Sequence, residues 1–472
     1  MKHYYTADQI RAAEAPLLAA LPDGALMRRA ASGLAMAIAR ELLRRTGAVA
    51  GRRICAVVGS GDNGGDALWA AVLLRRRGAA ACAILLNPDH THAKALAAFR
   101  AAGGRVVENF PAATDLVIDG VVGISGTGPL RPAAAAVFDA VAAAGVPVVA
   151  VDIPSGIDVH TGALAGPAVR ADVTVTFGGL KPVHALADCG RVELVDIGLS
   201  LPDTELLGLE ASDIHALWPV PGPSDDKYTQ GVVGVLAGSS AYPGAAILCS
   251  GAAVAATSGM VRYAGSAAAE VVSHWPEVVA ATDAMAAGRV QAWVVGPGMG
   301  TDESAVTQLA FALNSDLPAI VDADGLTLLA QHPHLVTRRS APTVLTPHAG
   351  EFERFGLGPV GDDRVEAAQR LATESGATVL LKGNVTVIAG SGRTYLNPAG
   401  GSWAATAGSG DVLSGMIGAL LASGVAPTEA AAAAAFVHAR AANLAAADPG
   451  PAPAPTSASR ILAHIRTAIA TL

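Results

Sequence analysis

Two successive series of short apolar runs, separated by helix-length segments, constrain this chain more than any other feature. In the first half, residues 54–58, 81–86, 116–122, 148–151, 173–177 and 192–197 have strand length and little polar alternation. Helical stretches at 67–77, 92–102 and 132–144 separate several of them, after an amphipathic opening at 7–18 and 26–43. Continuous apolar strands joined by helical crossovers predict a mostly parallel sheet covered on both faces. A second series follows, with strands expected at 232–237, 293–295, 319–322, 343–346, 378–381 and 385–388, and long helices at 245–257, 410–422 and 428–447. Between the series lies Trp218-Pro219-Val220-Pro221-Gly222-Pro223-Ser224, whose prolines interrupt regular structure. The expectation is two α/β domains, residues 1–215 and 227–472, joined by a linker over 216–226. A length of 472 residues suits two or three domains.

Composition supports layered packing and narrows the partners. Alanine is abundant and 53 residues are glycine, while aromatics make up only 4%. Small side chains let helices lie close to a sheet. The net charge of −8 and the lack of a basic cluster argue against nucleic acid. Cys55, Cys82, Cys189 and Cys249 are scattered without a CxxC pair, as expected of buried thiols in a reducing cytosol. The opening MKHYYTADQIR lacks an apolar signal core, so a cytoplasmic location is expected. The uncharged stretch 243–261 approaches membrane-span length, but its Gly, Ser and Thr content reads as a buried helix. No membrane partner is expected.

The first strand runs into Gly59-Ser60-Gly61-Asp62-Asn63-Gly64-Gly65-Asp66 and then a helix. GxGxxG in that context aims backbone N–H groups at phosphate. A dinucleotide fold also wants an acidic residue about twenty positions on, ending the second strand. Here that strand ends Leu85-Leu86-Asn87-Pro88, with no carboxylate before Asp89. A tight glycine turn and nothing more is the competing reading. Two further loops, 119–129 and 151–158, follow strands at their C-terminal ends, where open α/β sheets bind ligands. Asn63, Asp119 and Ser155 together offer an oxygen-only cation site; singly, each Asp reads as a loop cap. Lys181, in Gly178-Gly179-Leu180-Lys181-Pro182, reads first as a solvated lysine and second as a ligand contact.

These motifs resemble the NAD(P)H-hydrate epimerase domain. That family's NNGGDG stands here as DNGGDA, with GISGTGPLRP and VDIPSGID following, so Asp62 replaces an Asn and Ala67 a Gly. The resemblance covers about residues 1–215 and implies a Rossmann-like three-layer fold. It implies potassium at Asn63, Asp119 and Ser155. Hydrate binding would fall on Asp62, Asn63, Gly64, Gly65 and Asp66, on Gly123, Ile124, Ser125, Gly126, Thr127, Gly128 and Pro129, and on Asp152, which would also be the catalytic proton carrier.

In the second half the strongest signal is Ala407-Gly408-Ser409-Gly410-Asp411-Val412-Leu413-Ser414-Gly415, opening a helix. Gly408, Ser409 and Gly410 can point backbone N–H groups at developing phosphoryl charge, reinforced by the helix N-terminus. Asp411 can then accept a proton from an attacking hydroxyl; an N-capping Asp in a glycine loop is the bland alternative. Lys382-Gly383-Asn384 turns between two strands and can bring Lys382 near a nucleotide phosphate, with a surface turn lysine equally open. His348, Glu351, Gly296 to Gly300 and Asp322-Ala323-Asp324 occupy comparable strand ends. No GxxxxGK[ST] occurs, which excludes a P-loop enzyme.

From about Lys227 onward the chain resembles the ADP-dependent NAD(P)H-hydrate dehydratases, a branch of the ribokinase superfamily. The motifs are KYTQG, YPGA, GPGMG, TPHAGE, LKG and GSGDVLSG, in that order, with Asp226 where the family has His. The resemblance implies a ribokinase-like three-layer domain, hydrate contacts at Ala245, Gly298, His348 and Asp411, and nucleotide contacts at Lys382, Gly383, Asn384, Val385, Thr386 and Gly410, with Gly408 and Ser409 beside them. Together the halves imply repair of hydrated NADH and NADPH (NADHX and NADPHX). One half would interconvert R and S hydrates. The other would use ADP and magnesium to return the S form to NADH or NADPH with release of AMP and phosphate. The small-molecule substrates are the expected partners, in a homo-oligomer. An ATP-dependent kinase of a vitamin precursor, and a nucleotide-sensing scaffold, are the alternatives.

Overall fold

The computed structural model describes every residue of the chain except Ser125, Thr127, Ser258 and Ser391. The chain divides into two compact units, 3–204 and 205–472, the latter also taking Met1–Lys2. The second unit thus begins eleven residues before the linker expected at 216. The reason lies in pairing: strand Leu206–Gly208 runs parallel to Arg393–Pro398, and Trp218 Nε1 donates to the Ala256 carbonyl at 2.9 Å. Both contacts are long-range, so no local pattern announces them.

The first unit holds a seven-stranded sheet in the order Arg105–Val106, Ala80–Leu85, Arg53–Val58, Leu116–Gly120, Val148–Val151, Val173–Phe177, Arg191–Val195. Every pairing is parallel. Because strand side chains alternate, Ile54, Ala56 and Val58 enter one core while Cys55 and Val57 enter another on the opposite face. Helices Ala25–Thr46 and Asp62–Arg76 cover the first face and Pro132–Ala143 the second. The order reverses direction between Arg53–Val58 and Leu116–Gly120, which opens a crevice at their C-terminal ends.

The helix expected from 67 starts at Asp62, with Gly61 as its N-cap. The glycine motif therefore forms the first helical turn rather than a preceding loop. A Cβ on Gly64 would sit 2.6 Å from the Gly59 carbonyl oxygen, which explains why the turn packs only with glycine there. Ala67 fits because Gly120 opposite it has no side chain; a Cβ at 120 would come within 2.6 Å of the Ala67 Cβ.

The second unit's sheet runs parallel from Val279–Ala281 through Met260–Ala264, Val232–Leu236, Ala292–Val295, Ala319–Val321 and Thr343–Leu345 to Thr378–Leu381. An antiparallel pair, Val385–Gly390 and Arg393–Pro398, extends it. Helices Pro243–Ala256, Ser409–Ala422, Pro427–Ala447 and Ala458–Ala470 build one core on this sheet. Their close approach needs small residues: a Cβ on Gly415 would lie 2.2 Å from the Cys249 carbonyl oxygen, and one on Gly418 2.1 Å from Val294. The uncharged stretch from 243 is a buried helix only to Ala256, after which strand Met260–Ala264 begins. Among the described residues no helix is long and apolar enough to cross a membrane.

Candidate active sites

In the first unit, the strand ends and the N-terminal helices enclose a cavity of about 740 Å³. Asp62, Asn63, Asp66, Gly123, Ile124 and Asp152 line it, as do Glu14, Met27, Arg28, Trp69, His92, Lys94 and Lys181. Gly64 and Gly65 are buried in the helix start, while Gly128 and Pro129 are exposed. Gly126 N–H donates to the Gly123 carbonyl at 2.8 Å. Ser125 and Thr127 lie outside the described residues.

Asp152 and Lys181 form the most enclosed ion pair of this unit. Lys181 Nζ donates to Asp152 Oδ1 at 2.6 Å and to Thr176 Oγ1 at 2.8 Å, and only 1% of the lysine side chain is exposed. The expectation of a solvated lysine is therefore corrected. Burial alone would raise the Asp152 carboxyl, but the Lys181 ammonium outweighs it and holds the group below the usual carboxylate range. Asp152 adopts φ +70°, a left-handed conformation rare for a residue with a Cβ. His184 Nδ1 accepts the Lys181 N–H at 2.9 Å, so its Nε2–H donates to the Asp152 carbonyl at 2.8 Å. Burial, then the lysine charge, pushes His184 down to about 4 and keeps it neutral.

Asp119 is fully buried at the end of its strand and accepts from Ser155 Oγ at 2.7 Å, Ser155 N at 2.8 Å and Val121 N at 3.2 Å. Burial pushes its carboxyl up to about 6 against these hydrogen bonds. Asn63 Nδ2 donates to the carbonyls of Val122 (3.1 Å) and Val151 (2.6 Å), which turns its Oδ1 toward Gly123. Asn63, Asp119 and Ser155 are thus gathered beneath one cavity, with a buried negative charge that no neighbouring side-chain cation offsets among the described residues. That oxygen set suits a weakly charged hard cation.

In the second unit, the GxGD segment sits where expected. Gly408 caps helix Ser409–Ala422 with φ +80°, and Asp411 lies in its first turn. Burial, then the neighbouring Asp322 carboxylate, raises the Asp411 carboxyl to about 7, with the Lys382 ammonium opposing. Lys382 leaves the end of strand Thr378–Leu381 and donates to Asp322 Oδ1 at 2.7 Å; Glu351 Oε2 lies 3.5 Å away. It is therefore not a surface turn lysine. Ser414 Oγ donates to the other Asp322 oxygen at 2.8 Å. A Cβ on Gly410 would stand 3.5 Å from Asp322 and 3.6 Å from Lys382, which places the glycine turn, the cation and both carboxylates in one cluster.

Gly298 adopts φ +62°, and a Cβ there would approach the Ala245 Cβ at 2.8 Å, so two expected hydrate contacts adjoin. His348 caps helix Ala349–Glu353: Nδ1 accepts from Gly350 N at 3.0 Å and Glu351 N at 3.2 Å. Its imidazole is half exposed, with Nε2 3.6 Å from Glu351 Oε1. Asn384, Val385 and Thr386 lie on the turn and strand after Lys382, where the Asn384 carbonyl accepts Ala399 N–H at 3.2 Å. Two partners escaped the sequence reading. Asp322 was noted only for its strand end, and His438 not at all. The latter is buried, with Nε2 3.0 Å from Ser409 Oγ.

Residues 233–464 match the family described as NAD(P)H-hydrate dehydratase, and residues 23–183 match the family described as YjeF-related protein N-terminus. A bifunctional NAD(P)H-hydrate repair enzyme of Mycobacterium leprae is 73% identical over the whole of both chains. One of the same description from Mycobacterium tuberculosis strain H37Rv is 76% identical, again over all of both. A solved ribokinase-like superfamily protein of Enterococcus faecalis superposes with a TM-score of 0.50 at 22% identity, covering 58% of this chain and 98% of its own. That likeness establishes the ribokinase-like fold of the second unit.

Proposed function

The chain belongs to the bifunctional NAD(P)H-hydrate repair enzymes, and from that premise we propose how its residues divide the work. The C-terminal unit is the dehydratase and the N-terminal unit the epimerase. The expectation of a vitamin-precursor kinase is set aside with the family. In the dehydratase, ADP lies against the Lys382–Thr386 turn and the N–H groups of Gly408, Ser409 and Gly410. The hydrate lies between Ala245, Gly298 and His348. Asp411 takes the proton of the ring hydroxyl at carbon six as that oxygen attacks the terminal phosphorus. The bond from phosphorus to the AMP oxygen breaks and AMP leaves. The ring nitrogen's electron pair then expels phosphate from carbon six, and loss of a carbon-five proton to solvent restores the dihydronicotinamide. Magnesium, when bound, neutralises charge on the transferring phosphoryl group.

The observation that carries this reading is the Asp411 carboxyl, raised to about 7 at the mouth of a glycine-opened helix. A general base works best near the operating pH, and the helix mouth favours the negative charge that grows beside it.

In the epimerase unit the buried Asp119 charge and the oxygens of Asn63 and Ser155 fit potassium. When bound, the ion supplies positive charge for the ligand's phosphates. Asp152, kept ionised by Lys181, takes a proton from the oxygen carried on carbon six. Four unpaired cysteines fit a reducing compartment, consistent with a cytoplasmic location.

The test supplies the full chain with mixed R and S hydrates and ADP and follows reduced-nicotinamide absorbance. Complete recovery requires both units. A plateau after the S form is consumed would refute the epimerase assignment, and no recovery would refute the dehydratase assignment.

A further inference from the structure

The epimerase cavity contains a second carboxyl in the opposite state from Asp152. Asp66 lies one turn into helix Asp62–Arg76, is 6% exposed, and lines the cavity. Its Oδ1 is buried without a hydrogen-bond partner among the described residues. A buried polar atom left unsatisfied costs roughly 1–3 kcal/mol, and the cost is larger for a charged carboxylate than for a neutral acid.

Three carboxylates act on Asp66. Asp62 lies on its own helix, Glu14 comes from helix Ala7–Ala20, and Asp152 from the loop after strand Val148–Val151. Lys181 is already engaged with Asp152, Thr176 and the Phe177 carbonyl, and His92 lines the same cavity. Arg28 and Lys94 also line the cavity, Lys94 paired with Asp23, and among the described residues no cation is paired with Asp66, whereas a neutral acid needs none. Burial, then Asp62, Asp152 and Glu14, raises the Asp66 carboxyl well above its ordinary range. Two carboxyls driven apart by their environments mark an acid and a base.

We propose that Asp66 is the proton donor of the epimerase, delivering its proton to the hydroxyl on carbon six while Asp152 serves as the base. This rests on the epimerase reading of the unit. The hydroxyl leaves as water when its oxygen takes the Asp66 proton, and the carbon–oxygen bond breaks with its electron pair going to oxygen. The ring nitrogen's lone pair fills the gap as an iminium. Water then adds to the other face of carbon six and gives its proton to Asp152. Return of that proton to Asp66 through solvent closes the cycle, and the reverse epimerisation runs the same steps backward.

The test uses the full chain carrying Asp66→Asn, which keeps the shape and removes the acidic proton. With resolved hydrate, epimerisation is followed directly by the appearance of the other epimer, and hydrate binding to the same variant by calorimetry. The expected result is a fall in epimerase kcat of about a hundredfold or more, the usual scale of a lost general acid, well beyond any accompanying loss of hydrate binding. Asp66→Glu should recover part of the rate. Wild-type kcat in Asp66→Asn would overturn the proposal, and so would a loss confined to KM, which would make Asp66 a binding group only. Failure of the wild-type chain to interconvert the epimers would instead overturn the epimerase reading itself.

Discussion

Lys382 Nζ donates to Asp322 Oδ1 across 2.7 Å, and that pair sets the charge state of the dehydratase site. The lysine is drawn down from the strand end and the carboxylate is fixed beside Asp411. Replacing Asp322 by Asn removes the negative charge that acts most strongly on Asp411. The rising limb of the dehydratase pH–rate profile is expected to move to lower pH, and KM for ADP to increase as Lys382 loses its anchor. A profile unchanged in midpoint would show that Asp322 does not tune the base.

Asp411 carries a cost in stability. Its folded value of about 7 exceeds the unfolded carboxylate value of about 3.9. Between these pH values the folded chain holds a proton that the unfolded chain has released, so stability falls as pH rises through that window. Asp411→Asn should abolish hydrate dehydration yet unfold later than wild type at pH 8, by up to about 4 kcal/mol at one pKa unit per 1.36 kcal/mol. The gain should vanish near pH 4. Thermal melts at both pH values check the sign.

Lys181→Met strands the Asp152 charge in a buried position. Breaking one side of such a pair typically costs about 3–5 kcal/mol. Denaturant unfolding of the epimerase unit should shift accordingly, while the dehydratase rate on pure S hydrate stays at its wild-type value. An unshifted transition would mean that the pair is solvated.

Much of this architecture is legible in the residues. Strands Val148–Val151, Val173–Phe177 and Thr378–Leu381 fall where continuous apolar runs put them, because both faces of a parallel sheet are buried. Strand Arg393–Pro398 and the short Leu206–Gly208 carry no such signal; they exist through their pairing with each other and with Val385–Gly390. The GxGD helix, the strand end bearing Asp119 and the loop bearing Asp152 are likewise visible as motifs. Their partners are not. Lys181 reaches Asp152 across 29 positions, and Ser409 meets His438 across another 29, distances that only tertiary packing closes. Glu14 enters the cavity from an opening helix that reads merely as amphipathic.

Gly123 packs against the Asn63 oxygen proposed to hold potassium. A Cβ at this position would lie 2.4 Å from Asn63 Oδ1, so Gly123→Ala should displace that oxygen. The concentration of potassium giving half-maximal epimerisation is expected to rise several-fold, with dehydratase turnover unaffected. Titration of epimerase rate against potassium, with choline holding ionic strength, reads this directly. An identical titration curve would remove Asn63 from the proposed ion site.

The most direct measurement of the central claim gives resolved S hydrate and ADP to wild-type chain and to Asp411→Asn, and quantifies dihydronicotinamide, AMP and phosphate together with ADP binding. The account predicts one AMP and one phosphate per cofactor restored by the wild type, and ADP binding without turnover in the variant. Restoration of cofactor by Asp411→Asn at the wild-type rate would contradict it.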